Sequence, residues 1–196
     1  MDDIVLRGMA KWPDVPAVFG WLALDRRGNW LLRGEPIANP ALTEFIGRNY
    51  DCDDRGRWFF QNGPQRVYVA LEYTPFVYRV ICGSGESWSL KTHDGRTTHS
   101  VLGAWLDEHG NVLIETEAGI GVVHDRDLEL LITAFVDRGG ARLSEDELER
   151  RLASVRRGAE ANLFLEFGSR LIGLQSIASE RVAEQFAFDP SPVKRD

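Results

Sequence analysis

The chain has only two cysteines in 196 residues, Cys52 and Cys82, and they lack Cys-x-x-Cys spacing. Neither a disulfide framework nor a cysteine zinc site is implied, and both are expected as reduced thiols in or near a core. No apolar run approaches the ~18 residues needed to span a bilayer. The first residues, MDDIVLRGMAKWP, are acidic and carry no apolar stretch of signal-peptide length, so a cytoplasmic location and no membrane partner are expected. Positive charge is scarce: 23 Lys and Arg against 30 Asp and Glu give a net charge of −7. Such a surface repels polyphosphate, and no nucleic-acid partner is expected. The most basic stretch, ERRLASVRR at 149–157, sets Arg150, Arg151, Arg156 and Arg157 beside Glu147 and Glu149, the pattern of a solvated helix face. Catalytic signatures are missing too. FGSRL around Gly168 and Ser169 lacks the Gly-x-Ser-x-Gly of an activated serine, and GSGES at 83–87 has no third glycine and no following Lys-Ser/Thr, so it reads as a linker.

What is present is a folded composition, 43% hydrophobic and 10% aromatic, with a short repeat running through it. DRRGNWLL from Asp25, DDRGRWFF from Asp53 and DEHGNVLI from Asp107 share an aspartate, two residues, a glycine, a polar residue and an apolar run. Aspartate accepts backbone hydrogen bonds as it opens a turn, and glycine supplies positive φ, so each copy predicts a strand, a turn and a second strand.

After the first copy, Asn39 caps and Pro40 begins a helix with Leu42, Phe45 and Ile46 on one face. RVYVALEY then alternates as a strand covered on one side, and TPFVYRVIC continues as strand, so residues 17–82 read as β-β-α-β-β-β. Asp94-Gly95 marks another hairpin, and Asp125 caps a helix with Leu128, Leu131, Ile132 and Phe135 inward. Ser144 and Glu147 form a capping box ahead of a stripe of Leu148, Leu152 and Val155. Residues 163–174 fit either a last hairpin at Gly168-Ser169 or an amphipathic helix.

The expected fold is α+β: two small hairpin-rich antiparallel sheet units, each with a packed helix, plus a C-terminal helix and hairpin. The expected spans are an N-terminal extension at 1–16, units at 17–83 and 84–140, the helix and hairpin at 141–188, and a mobile tail at 189–196.

GWLALDRRGNWLLRGEPI, the helix, and DDRGRWFFQNGPQRVYVALEYTPFVYRV together resemble an uncharacterised proteobacterial domain family of unknown function. Their order is also similar to that of a second such family. The second resemblance implies an α+β fold of repeated motifs and a role in binding or signal transduction; neither family lends catalytic residues.

Two groups of residues could carry chemistry. Trp58, Gln61, Asn62, Gln65 and Arg66 put amides, a guanidinium and aromatic rings within a few residues of one turn, a set able to hold a small ligand or protein partner. The alternative is a metal-dependent hydrolase using His93, Asp94 and His99, although a transition metal wants three or four firm ligands and this turn supplies two or three. His124 before Asp125 reads as helix capping, and Trp12, ahead of Pro13 and Pro16, as a docking residue. No cofactor is implied. Pairing with a second copy through an exposed edge strand, such as the C-terminal hairpin, is a third reading.

Overall fold

The commonest joint in the chain is an aspartate folded back on its own backbone. At Asp53, Oδ1 accepts the N–H groups of Arg55 and Arg57, both at 3.0 Å, while the backbone closes through Gly56 N–H to Asp53 O and Asp53 N–H to Arg57 O. Asp25 and Asp107 repeat this pattern with Arg27 and Asn29, and with His109 and Asn111. A further copy at Asp137, held by Gly139 and Ala141, went unread because no apolar triplet follows it. In each copy the glycine three residues on (Gly28, Gly56, Gly110, Gly140) has φ between 74 and 88°, where a side chain would be strained.

The computed structural model describes residues 1–12, 15–82 and 88–194, which divide into two units. The first comprises Met1–Pro75, His93–Arg96 and Ala183–Asp196; the second comprises Phe76–Thr92 and Thr97–Val182. The fold is mixed α+β, mostly sheet with a few helices.

In the first unit, α1 (Asp3–Lys11) precedes β1 (Val18–Leu24), β2 (Trp30–Leu32), β3 (Glu35–Pro36), α2 (Pro40–Arg48), β4 (Tyr50–Cys52), β5 (Trp58–Asn62) and β6 (Gln65–Leu71). The strands form one sheet in the order β3-β2-β1-β6-β5-β4. On one face Leu22, Leu24, Trp30, Tyr50, Phe60, Val69 and Leu71 are buried with Ile46 of α2, and on the other Phe59, Gln61 and Tyr68 are buried. Asn39 caps α2 as expected, its side chain accepting from Ala41 N and Leu42 N. Residues 189–196 were expected to be mobile; Asp189 N–H donates to Gly56 O and Pro190 O accepts from Leu71 N–H.

The second unit holds β7 (Phe76–Cys82), β8 (Trp88–Thr92), β9 (Thr97–Thr98), β10 (Val101–Leu106), β11 (Val112–Thr116), β12 (Gly119–Val123), α3 (Leu128–Ile132), β13 (Phe135–Val136), α4 (Glu145–Arg156), β14 (Phe164–Phe167) and β15 (Arg170–Ser176). Its sheet order is β13-β14-β15-β10-β11-β12-β7-β8-β9. Taken in chain order, the strands of both sheets fall into successive groups of three. The last strand of a later group lies parallel to the first strand of an earlier one: β6 beside β1, β12 beside β7, and β15 beside β10. Each sheet is therefore mixed, not purely antiparallel as expected. Alternation within a segment reveals its faces but not its distant neighbour.

Other expectations need correcting. The PF strand, read as the end of the first unit, is β7 of the second sheet. Phe76, Val77 and Tyr78 are all buried, as befits a strand with neighbours on both sides. The helix expected after Asp125 is a single 3₁₀ turn plus α3; Phe135 lies in β13 and Ile132 is exposed. Ser144 caps α4 through Glu147 N–H, but the Glu147 carboxylate pairs with Arg151 and not with the cap. α4 stands between the Asp137 turn and β14, an insertion into the fifth group. Residues 163–174 adopt the hairpin, β14–β15, and both strands are interior. The sheet edges are β3 and β4 in the first unit and β13 and β9 in the second, each two or three residues long. The GSGES linker lies outside the described residues.

Asp107 is fully buried and accepts from His109 N–H, Asn111 N–H and Asn111 Nδ2. Asp107→Ala strands these donors and should lower the unfolding free energy by roughly 3 kcal/mol. Asp137→Ala, at a more open turn, should cost much less. Urea denaturation of both variants checks the ranking.

Candidate functional site

Strand register decides how the residues around the 61–66 turn are presented. In β5 and β6, Gln61 faces Arg66, Phe59 faces Tyr68 and Phe60 faces Val67. Alternation therefore puts Gln61 and Arg66 on one face of the sheet, and Trp58 and Asn62 on the other. Trp58 packs on Tyr50, ring centroids 4.8 Å apart. Gln61 is 1% exposed; its Nε2 donates to Gly63 O at 2.9 Å, while Oε1 is buried without a hydrogen-bond partner among the described residues. Gln65 Nε2 donates to Pro16 O at 3.1 Å. Asn62 is exposed. The Arg66 guanidinium lies over Phe59, 4.4 Å from its centroid. The turn itself supports α1: a Cβ added at Gly8 would sit 3.5 Å from Gly63 Cα and Pro64 Cδ. Val5 of that helix is buried, and Trp12 just beyond it is 58% exposed. α1 falls within the span expected as an N-terminal extension at 1–16.

The face that carries Gln61 and Arg66 continues across β6 and β1 as rings alternating with guanidinium groups. Phe19 stacks on Tyr68 with centroids 4.5 Å apart and planes at 11°. Arg57 covers Tyr68 at 4.5 Å and is held by Asp53 at 2.7 Å. Burial would raise the Asp53 pKa, but hydrogen bonds from the Arg57 side chain and from the N–H groups of Arg57 and Arg55 bring it below the ordinary value. Arg33 lies over Trp21 at 3.8 Å, and Trp21 is 48% exposed.

His93 and His99 do not meet in a metal site. His93 packs against both Trp30 and Tyr50, with centroids 5.1 and 5.7 Å away, while those two rings meet each other at 5.1 Å, and its Nε2 is shielded from solvent. His99 is exposed. Asp94 is engaged by Arg96 Nε at 2.9 Å, and Arg96 Nη2 also donates to Tyr50 O at 2.9 Å. Burial brings the His93 pKa down to about 4 despite the opposing pull of Asp94. Among the described residues, no group of three or more His, Cys, Asp or Glu side chains could hold a metal, so the hydrolase reading lacks its donor set. Cys52 is a free thiol whose pKa burial pushes up to about 11, helped by Asp53 and Asp51. His124 does cap, its Nδ1 accepting from Arg126 N–H at 3.1 Å.

Sequence reasoning missed a groove in the second unit, of about 500 Å³, between β10, β15 and the 160–164 segment. Parallel pairing of Ala104 with Leu174 and of Trp105 with Gln175 sets its floor. The Trp105 indole crosses the place where a Gly103 side chain would stand, 2.1 Å from the added Cβ. Leu102 and Leu171 line the groove although they are 55% and 40% exposed. Glu160, Asn162, Arg170 and Gln175 supply its polar groups. The 160–164 wall is fixed: Asn162 has φ 47°, its carbonyl accepts from Arg151 Nη1 at 2.6 Å, and Leu163 O accepts from Leu174 N–H at 2.8 Å. Only the joining of β10 to β15, far apart in sequence, creates this site. No local signal could have revealed it.

The repeated three-strand groups and open groove define an α+β domain without a recognisable catalytic centre among the described residues. The chain belongs to the DUF2944 family, described as a protein of unknown function (DUF2946), whose model matches residues 1–193. Among solved structures it is similar to a DUF1285 family protein from Silicibacter pomeroyi DSS-3, with TM-score 0.53 and 15% identity over 86% of this chain and 87% of that one. A DUF1285 family protein from Shewanella baltica OS155 matches with TM-score 0.46 and 16% identity over 58% of this chain and 91% of that one. The first likeness is one of fold. No curated protein matches the chain. No helix among the described residues is long and apolar enough to cross a membrane.

His93 should make the fold acid-sensitive. The unfolded chain takes up a proton near the ordinary value of 6.5, whereas the folded one resists until about 4. The His93 contribution is therefore whole above pH 6.5 and is lost as pH falls toward 4, amounting to at most about 3 kcal/mol. Denaturant titrations across this window should show a shallower slope for His93→Phe than for the parent.

Proposed function

We propose that the protein is a binding module whose second unit receives a small organic ligand with an apolar body and a polar end. The observation that carries this reading is the groove over β10 and β15. Its volume lies within the several hundred Å³ usual for ligand sites, and it leaves Leu102 and Leu171 uncovered among polar lining residues. Exposed leucines in a concavity gain from a partner that removes them from water, and Arg170 or the Asn162 and Gln175 amides would orient its polar end. The lining holds no serine, threonine, cysteine, histidine or lysine, and Glu160 is its single carboxylate. The fixed 160–164 wall suits a site that is formed before its ligand arrives. A role in signal transduction would follow if binding here altered what the rest of the chain engages.

The dye 1-anilinonaphthalene-8-sulfonate has the required apolar body and charged end. It should fluoresce on binding the parent protein, and the Leu102→Asp/Leu171→Asp variant should lose at least about tenfold in affinity with an unchanged melting temperature, since both side chains are exposed. Equal dye binding by parent and variant would refute the reading.

A further inference from the structure

The first unit presents a second surface, on the face of β1, β2, β5 and β6 turned away from Leu22 and Leu24. Trp21 alternates with these buried leucines, so it points to the opposite side, where it is 48% exposed. Arg33 lies flat on its ring at 3.8 Å, and two strands away Arg66 lies on Phe59 at 4.4 Å. Arg33 and Arg66 stand at the same end of the sheet. Arg33 follows Leu32, the partner of Leu22, and Arg66 precedes Val67, the partner of Val18. Arg33 is level with Trp21 and so with Tyr68, which puts it two strand spacings across the sheet and two residues along it from Arg66, roughly 12 Å between Cα atoms.

Two features set this surface apart. The first is local conformation. Arg33 and Gly34 form the β2–β3 turn with φ of 51 and 89°, a turn whose first position is usually Asn, Asp or Gly. Arginine there costs conformational energy that glycine would not. The fold draws no ion pair from it in return. The second is charge. Acidic residues outnumber basic ones by 30 to 23, and Arg26, Arg48, Arg57, Arg79, Arg96 and Arg151 each meet a carboxylate. Of the four arginines that lie over rings among the described residues, Arg26 and Arg57 also meet a carboxylate, and Arg33 and Arg66 do not. Two guanidinium groups held flat by rings, with their N–H edges unspent, are kept cationic within an anionic protein.

From this complementarity we infer that the Trp21, Arg33 and Arg66 face docks an acidic segment of a partner protein. Two of the segment's carboxylates are taken bidentately by the guanidinium edges, and an apolar side chain lies on Trp21 between them. The net charge of −7 opposes any anion, and it opposes a nucleic acid, with one charge per nucleotide, more than a segment in which acidic and apolar residues alternate. The residues of this face belong to the first unit and those of the groove to the second, and neither reading depends on the other.

The test uses the full chain and a fluorescein-labelled eight-residue peptide of alternating glutamate and leucine, capped at both ends, with fluorescence polarisation as readout. Binding should weaken with added salt. Arg33→Gly, which relieves the left-handed strain, should keep or raise the melting temperature while weakening binding about fivefold; Arg33→Gly/Arg66→Gln should weaken it by at least about thirtyfold. The Leu102→Asp/Leu171→Asp variant should bind the peptide like the parent. Absence of peptide binding, or affinity unmoved by Arg33→Gly, would overturn the inference. So would tighter binding of an eight-residue oligothymidylate, which would make the anion a phosphate, or concentration-dependent dimerisation abolished by Arg33→Gly, which would make the occupant a second copy.

Discussion

One carboxylate oxygen accepting two backbone N–H groups, two and four residues ahead of it, is the interaction on which the architecture rests. It turns the chain without help from tertiary contacts, so the groups that contain Asp25, Asp53, Asp107 and Asp137 start from a locally determined reversal. Because the bond is made by the turn's own backbone, the flanking residues can vary. Arg57 uses that latitude to reach Tyr68, and Asn111 uses it to return a side-chain bond to Asp107. Where the turn is deeply buried, as at Asp107, the same interaction becomes part of the core.

The groups are joined by parallel seams, and the groove and the face of rings and guanidinium groups lie beside them. In the second unit, the seam between β10 and β15 floors the groove. In the first, the seam between β1 and β6 brings Phe19 against Tyr68, and its irregular register between Val18 and Leu22 accommodates Gly20 at φ 74° next to Trp21. Parallel partners come from remote parts of the chain, so side chains meeting there are less constrained by turn chemistry than those within a hairpin.

This division explains what could be read in advance. The turns at Asp25, Asp53 and Asp107, the Asn39 and Ser144 caps and the strand alternation of 66–73 were legible because each is decided within about five residues. The Asp137 turn was obscured by α4, which interrupts the apolar pattern that marks the other copies. The assignment of β7 to the second sheet and the mixed pairing were illegible, since both depend on contacts across scores of residues. The 61–66 turn was found, but its five candidate residues fall on two faces. His93 looked like a ligand because histidine next to aspartate in a turn reads the same whether the ring points out or in; only its packing against Trp30 and Tyr50 resolves which.

The shortness of the outermost strands has a bearing on behaviour at high concentration. β3, β9 and β13 offer two residues each and β4 three, and Pro36 in β3 has no N–H to donate. A passing extended chain finds too few free backbone groups to template a fibril. Long sheets with such blunted margins can be crowded without growing into one another, leaving side chains, and not main chain, to govern which molecules this protein associates with.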